Sequence, residues 1–256
     1  MSLESQITAL VSAANKLTSE VAKKMKGIDT KVDQTAVDII DRIAGSRVFS
    51  FFVDSENGND ENKGDSAAPL QTLKRAMSLC PAGSTVEIFV ASSQLHTLED
   101  NAVCRAQQLI ISSWTRNAVE ENYYIDTTTP IVRIGTRFNF HGNSIGFGNY
   151  RRSIVLELIG QPDFQFFGTA SFISYGAKVI IDKSTLSLPV LGSGNNTRMP
   201  VKVSLMFSDI EPRRGYLSNN EVILSVREVT GFSYADEIVM GASDSSVLTT
   251  MPISAS

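Results

Sequence analysis

The chain has 256 residues, of which 42% are hydrophobic and 20% are charged. This composition is ordinary for a folded protein with one large or two small domains, and it argues against extended disorder. The formal net charge of −4 provides no basic surface, so DNA and RNA are not expected as partners.

The cysteines and the N-terminal sequence further limit the class of protein that is expected. The two cysteines, Cys80 and Cys104, form no Cys-x-x-Cys pattern. One bridge between them is the alternative, but we expect them to be buried and reduced, and we expect neither a metal nor a cofactor. The N-terminal residues lack the basic and apolar regions of a secretory signal, and no apolar run approaches the ~18 residues that cross a bilayer. The protein is therefore expected to be made in the cytoplasm without membrane insertion.

Residues 1–46 are predicted to be helical. Their apolar side chains recur in alternating steps of four and three, which is the heptad pattern of a coiled-coil seam. After Val21 the row shifts sideways to Met25 and Ile28, and Gly27 either lies within one continuous helix or separates two helices. The predicted trimerisation seam consists of Leu3, Ile7, Leu10, Ala14, Leu17, Val21 and Ile28.

A helix that packs on its own domain is the alternative to a self-associating seam. The apolar stripe is narrow and has polar residues on both flanks, and a helix of about 40 residues extends roughly 60 Å. The rest of the chain offers little surface to cover such a length, so self-association is preferred. Ile, Val and Leu alternate along the seam, and this mixture does not separate a dimer from a trimer.

Residues 47–256 change to short β-rich runs separated by Gly, Ser, Asn and Asp. A central apolar residue recurs about every 22 residues, and this period predicts a β-solenoid with about three short strands in each coil. A β-sandwich is the alternative, but its strands recur every 8–12 residues and are joined by tight hairpins, which this sequence lacks. The central residues are Ile88, Ile110, Val132, Val155, Ile180, Val203 and Ile223.

Four separated elements mark residues 47–90, which we call the opening module. They are Phe52-Val-Asp-Ser-Glu-Asn-Gly-Asn-Asp60, Lys63-Gly64, Ala68-Pro-Leu-Gln-Thr-Leu-Lys-Arg-Ala76 and Gly83-Ser-Thr-Val-Glu-Ile-Phe-Val90. In this order they resemble the start of right-handed parallel β-helix proteins of the pectate-lyase-like and phage tail-spike kind. The resemblance implies a strand, a turn, a helix that caps the solenoid and a first coil strand, with the coils in residues 91–256.

The turn of the opening module contains Asp54, Asn57, Gly58 and Asp60, which we interpret as turn caps. Their side-chain oxygens accept backbone N–H groups, and glycine adopts positive φ without strain. The alternating acidic residues also suggest a calcium loop, but the bidentate Glu that closes such loops is replaced by Asp65. Turn capping is therefore preferred, and no metal site is predicted.

A helical coiled coil followed by a parallel β-helix is similar to the plan of phage tail spikes and tail fibres. The resemblance implies a homotrimeric virion protein in the tail, which acts in assembly and host attachment. Its expected partners are further copies of itself, other tail or baseplate proteins and, as a further candidate, a host surface glycan. A protein that only holds another fibre has the same sequence features, so this alternative is open.

A polysaccharide-degrading spike on the same fold is the alternative function, although we do not expect the chain to be an enzyme. Asp209 and Glu211 are weak candidates for its acid pair, because Arg213 and Arg214 lie close by; an exposed ion-paired turn is the preferred interpretation. Four aromatic residues are candidates for a glycan platform, but packing in a core or a trimer interface is preferred. These aromatic residues are Phe164, Phe166, Phe167 and Tyr175.

Overall fold

The computed structural model describes residues 3–45, 48–115, 128–149, 152–166, 171–184, 189–193, 201–218, 222–245 and 247–255. The chain divides into two compact units, Met1–Arg47 and Val48–Ser256. This division falls one residue after the domain boundary that the sequence predicts.

The first unit contains one long helix, α1, which spans Leu3–Gly45 and has 43 residues. At 1.5 Å per residue this helix extends about 65 Å. It continues without interruption through Gly27, so the continuous helix is the correct alternative at this position. No neighbouring atom lies within 4 Å of the place that a Gly27 side chain would occupy, so glycine is not required there by a close contact.

The second unit is mainly β, and its named strands lie in three sheets. Sheet A contains, in spatial order, β1 (Val48–Val53), β2 (Thr85–Ala91), β5 (Gln108–Trp114), β8 (Ser144–Phe147), β11 (Ser171–Tyr175), β14 (Val201–Met206), β16 (Val222–Arg227) and β17 (Val247–Thr249). Sheet B contains β15 (Asp209–Arg214), β12 (Lys178–Lys183), β9 (Val155–Gly160), β6 (Ile131–Ile134) and β3 (Leu95–Leu98). Sheet C contains β13 (Leu191–Ser193), β10 (Asp163–Phe166), β7 (Arg137–Phe140) and β4 (Ala102–Cys104).

Every pairing between these named strands is parallel. From β2 to β15, consecutive strands lie in sheets A, B and C in turn, and each strand from β2 to β12 pairs with the strand three places later. Single parallel bridges extend this order near the C-terminus, from Asp209 to Thr230 in sheet B and from Leu191 through Ser218 to Val239 in sheet C.

Alternate residues of each strand point to opposite faces, and one face of every sheet is buried in a common core. The register places like positions directly over one another, as with Leu109, Ile145 and Phe172 in sheet A. The named pairs depart from a regular register at one place, between Ile181 and Asp182. Aromatic rings of neighbouring strands also contact one another in the core. The centroids of Phe138 and Phe164 are 5.4 Å apart, and the two rings have a T-shaped arrangement.

The register corrects the predicted period of about 22 residues. In sheet A the steps between aligned core positions are 23, 36, 27, 31 and 21 residues, because the connections between the sheets differ in length. Those positions are Ile88, Ile111, Phe147, Ser174, Leu205 and Val226. Several residues used for the predicted period lie in sheet B instead, and Ile223 is 38% exposed on the outer face of sheet A.

The opening module brings a second helix, α2 (Leu73–Ser78), onto the end of the sheets. Thr72 is its N-cap and its hydroxyl accepts a hydrogen bond from the backbone N–H of Arg75 at 3.1 Å. The helix buries Leu73, Ala76 and Met77. It contacts β1, β3 and β4, which are the first strands of sheets A, B and C, so it covers the same end of all three sheets.

Candidate functional site

The turn after β1 is built around Asp54, which is only 3% exposed. Its Oδ1 accepts hydrogen bonds from the backbone N–H of Asn57 (2.8 Å), the backbone N–H of Glu56 (3.2 Å) and the side-chain amide of Gln94 (2.9 Å). Burial alone would raise the pKa of Asp54, but these hydrogen bonds outweigh it and hold the pKa below its usual value. Asp54 therefore has the capping role expected from the sequence.

Asp60 caps the segment that leads into α2. Its Oδ1 accepts from the backbone N–H groups of Gln71 and Thr72, both at 2.9 Å, and its Oδ2 accepts from the Thr72 hydroxyl at 2.7 Å. The Arg75 side chain donates back to the Asp60 carbonyl at 3.1 Å. Asp54 and Asp60 thus have protein donors as partners, and the turn is explained by these hydrogen bonds.

Gly58 is required for a reason different from the predicted one. Its φ lies outside the positive region that favours glycine, and its N–H donates to the Asp54 carbonyl at 2.8 Å. A side chain at this position would overlap the carbonyl oxygens of Leu70 and Asp54. The close approach of the segment before α2 therefore excludes any other residue, and the prediction of positive φ is wrong.

The seam residues of α1 are all exposed in the single chain. Leu3 and Leu10 are 73% and 72% exposed, and Leu17 is 64% exposed. Such a row of large apolar side chains is unusual for a helix that remains in contact with water. The seam is therefore an exposed apolar row on α1 in the single chain.

Two residues of the predicted glycan platform belong to the core. Phe164 is 0% exposed and Phe166 is 1% exposed, because both point inward from β10. The prediction is wrong for these two residues, and their packing role is the alternative that the sequence had favoured. Phe167 lies outside the described residues. Tyr175 is half-buried on the outer face of β11, where its ring lies 5.4 Å from that of Phe207.

Aromatic rings that the sequence did not single out lie on the outer face of sheet A. Phe52 and Phe89 stack with centroids 4.9 Å apart, and Trp114 meets Phe52 edge-on at 5.0 Å. The Arg152 guanidinium lies 4.6 Å above the Phe89 ring, which is a cation–π distance. We call these four residues the outer aromatic cluster.

A smaller group lies near the other end of the same sheet. Phe207 is 40% exposed and contacts Tyr175, and the Arg227 guanidinium lies 5.3 Å from the Phe207 ring. Neighbouring residues of a strand, such as Phe51 and Phe52, face opposite sides of the sheet, and this alternation is the sequence signal for inward and outward rings. The signal does not extend to Phe207, because this residue follows the end of β14 and has a positive φ of 51°.

Asp209 and Glu211 are brought together on sheet B by Lys178. The Lys178 ammonium lies 3.4 Å from Asp209 Oδ2 and 3.1 Å from Glu211 Oε2, and Arg213 Nε lies 2.6 Å from Glu211 Oε1. Hydrogen bonds from Arg213 and Lys178 hold the pKa of Glu211 below its usual value. A general acid needs a raised pKa, so Glu211 suits an ion-paired turn and not proton donation to a glycosidic oxygen.

A cleft of about 320 Å³ lies where connections run from sheet B to sheet C. Its lining consists of Asn101, Gly135, Thr136, Arg137, Gln161, Pro162, Asp163 and Lys183. Arg137 Nε donates to Asp163 Oδ2 at 3.0 Å, and the buried Lys183 ammonium donates to the carbonyls of Pro162 and Pro189. Burial lowers the pKa of Lys183, although the nearby Asp163 charge opposes this shift. This cleft could not be predicted from the spacing of residues in the sequence, because its residues come together only through the register of the strands.

The described residues contain no group of three or more His, Cys, Asp or Glu side chains arranged to hold a metal ion. Among the helices of the same part of the chain, none is long and apolar enough to cross a bilayer.

Comparison with known proteins does not add to these observations. Protein-family models, curated proteins and solved structures were each compared with the chain, and none of them gives a match. The geometry of the described residues is therefore the basis on which a function is assigned.

Proposed function

We propose that this chain is a structural protein of a phage virion: a homotrimeric tail fibre, spike or baseplate appendage that acts in assembly and host attachment. In this proposal α1 forms the coiled coil that joins three chains, and the second unit is a right-handed parallel β-helix. The observation that carries the proposal is the exposed seam of α1, where Leu3, Leu10 and Leu17 are 64% or more exposed.

The strand order supports the β-helix. Consecutive strands alternate among sheets A, B and C, and parallel pairing connects strands three places apart. A chain that winds through three sheets in this order stacks one coil on the next, and each coil buries its inner side chains on its neighbours. Such a stack is stiff and elongated, which suits a shaft or an adhesive head.

The coiled coil follows from the energetics of α1. A helix of this length is held in water chiefly by burial of its apolar face against a partner. Fully burying a Leu or Ile side chain contributes roughly 1.5–3 kcal/mol, so several seam residues per chain supply a large driving force for association. The trimer in particular is proposed from the resemblance to tail spikes and fibres.

The outer aromatic cluster supports an attachment role. Partly exposed rings with an adjacent arginine are typical of surfaces that contact proteins or sugars. Phe52, Trp114 and Arg152 therefore form the favoured contact surface for another tail protein or a host surface glycan. The ion pairing of Glu211 argues against a depolymerase that uses the Asp209–Glu211 pair.

The oligomeric state tests the seam directly. Light scattering of the whole chain at micromolar concentration should give a mass three times the chain mass of 27.8 kDa. Replacement of Leu10 and Leu17 together by Glu should give a monomer with an unchanged β signal in circular dichroism, because the charges would be buried in the seam.

A matched pair of substitutions controls for added charge. Ser12 and Ser19 each follow a seam leucine by two positions and therefore point about 200° away around the helix. The double change Ser12→Glu and Ser19→Glu should leave the trimer intact. A monomeric or dimeric wild-type chain, or dissociation of this control, would contradict the trimeric seam.

The location in the virion needs a separate measurement. An antibody against the purified chain should label the tails of intact virions in negative-stain electron microscopy. Labelling of heads, or virions that carry no label while lysate protein does, would exclude a tail protein even if the chain is trimeric.

A further inference from the structure

The two cysteines meet where α2 packs on sheet C. Cys80 lies two residues after the end of α2, and Cys104 is the last residue of β4, which α2 contacts. The backbone N–H of Gly83 donates to the Arg105 carbonyl at 3.2 Å, so the segments that follow the two cysteines are held side by side. Residues 24 positions apart in sequence thus come together at the covered end of the stack.

Both thiols are free and buried, with exposures of 7% for Cys80 and 0% for Cys104. Both belong to the same buried cluster, and the Cys80 sulfur lies 3.4 Å from the Ala76 carbonyl. Interaction with the Cys104 thiol, together with burial, raises the pKa of Cys80. The same interaction lowers the pKa of Cys104 although burial opposes this, so Cys104 is the sulfur that loses its proton more readily.

We propose that Cys80 and Cys104 are an oxidation site, which closes into an intrachain disulfide when the protein meets a peroxide and fastens α2 to the first strand of sheet C. The proposal goes beyond the virion function and does not depend on it. It rests on the juxtaposition of the two thiols in one core, where a second sulfur is already present to react with the first.

The chemistry proceeds in two balanced steps. The Cys104 thiolate attacks one oxygen of hydrogen peroxide, the O–O bond breaks, and Cys104 sulfenic acid and hydroxide result. The Cys80 sulfur then attacks the Cys104 sulfur, the S–O bond breaks, and the thiol proton leaves with the hydroxyl group as water. The hydroxide of the first step takes up the proton that Cys104 released on forming the thiolate, so two thiols have been oxidised and one peroxide has been reduced to two waters.

Access and geometry both involve α2, which has only six residues. A helix this short opens locally more readily than the sheets beneath it, and such opening admits a small oxidant to Cys104. Closure brings the sulfurs to about 2.05 Å, and Cys80 lies in the connection after α2, which can shift locally without moving the sheets. The disulfide would then hold the helix over the ends of the sheets.

Intact mass and thiol titration test the bond. The reduced whole chain is treated with a small excess of hydrogen peroxide and then denatured; its mass should fall by two hydrogen atoms and both titratable thiols should disappear. Dithiothreitol should restore both. Hydrogen exchange of the α2 amides should slow by at least about tenfold in the oxidised form, because local opening of the helix is blocked.

The single variants Cys80→Ser and Cys104→Ser provide the controls. Neither can lose two hydrogen atoms within one chain, and Cys80→Ser should instead accumulate sulfenic acid that a dimedone probe traps. Two titratable thiols after peroxide treatment of the folded wild-type chain, or a covalent dimer on a non-reducing gel, would overturn the intrachain bond. A disulfide without slower exchange in α2 would overturn its role as a fastener.

Discussion

Asp54 is a buried carboxylate that receives hydrogen bonds from both sides of the first turn. The backbone N–H groups of Glu56 and Asn57 come from its own turn, whereas the Gln94 amide comes from the segment before β3. Gln94 in turn accepts from the backbone N–H and hydroxyl of Ser55. One charged side chain therefore connects the first turn to the segment before β3, and its loss leaves several donors without an acceptor.

The first prediction concerns Asp54→Asn, which keeps the shape and removes the charge. Because the folded-state pKa of Asp54 is lowered, the charge stabilises the fold above the unfolded-state pKa of about 3.9. That contribution is lost as the pH falls through the folded-state pKa. At neutral pH the variant should be less stable by about 1–3 kcal/mol, and the difference from wild type should close in acid.

Urea unfolding between about pH 7 and about pH 2 measures this difference. Burial lowers the pKa of His96, so this side chain is neutral in the fold at neutral pH. Its protonation therefore also destabilises the protein in acid, and this loss of stability begins near the unfolded-state pKa of about 6.5. The Asp54 charge opposes this lowering of the His96 pKa, so protonation of His96 destabilises the variant more than wild type, and the difference should first widen and then close as Asp54 is protonated. A difference that stays constant down to the lowest pH would show that the Asp54 charge has no such role.

At the residue scale, side-chain caps of nearby backbone groups could be predicted from the sequence, whereas contacts between distant segments could not. Asp54 and Asp60 accept N–H groups two to twelve residues away, and Asx-type capping is visible in the order of residue types. The reason for Gly58 was missed because the carbonyl of Leu70 approaches it only after the chain has turned back. A glycine in sequence looks the same whether it is needed for φ or for space.

At the scale of elements, it was easier to predict whether a segment is a helix or a strand than to predict which face of a strand is buried. The heptad pattern predicted α1, and the resemblance of the opening module implied the short helix α2. The short apolar runs predicted strands, but Phe164 and Phe166 face the core whereas Phe52 and Trp114 lie on the outer surface. A strand with apolar residues on both faces gives no alternation from which the inner face can be read.

The second prediction compares an inward-facing ring with an outward-facing ring, with Phe164→Ala and Phe207→Ala as a matched pair. Phe164 is fully buried between Phe138 and Phe172, so its truncation should lower the free energy of unfolding by about 3–5 kcal/mol. Phe207 is 40% exposed, so its truncation should cost about 1 kcal/mol or less. Denaturant unfolding compares them, and equal losses would mean that the assigned facings are wrong.

At the scale of the whole second unit, stability should depend on position along the stack. Strands β5, β8 and β11 each have a parallel neighbour on both sides, whereas β1 and β17 are at the two ends of sheet A. Where each strand contacts only its neighbours in the sheet, terminal strands open before central ones. The long helix α1 belongs to the other compact unit.

Native-state hydrogen exchange gives the third prediction. The amides of β8 and β11 should exchange at least about tenfold more slowly than those of β17, since each 1.4 kcal/mol of extra opening free energy slows exchange about tenfold. Mass spectrometry of proteolytic fragments resolves these strands. Uniform rates along sheet A would indicate that the unit opens only as a whole.

The pairing of strands three places apart has a consequence for how such a protein can change over generations. Loss or duplication of one complete set of three strands, such as β9, β10 and β11, joins β8 to β12 and leaves every remaining side chain on its original face. Loss of a single residue within a strand reverses the facing of the rest of that strand. Related sequences should therefore differ in length by complete sets of three strands or within the connections, and not within a strand.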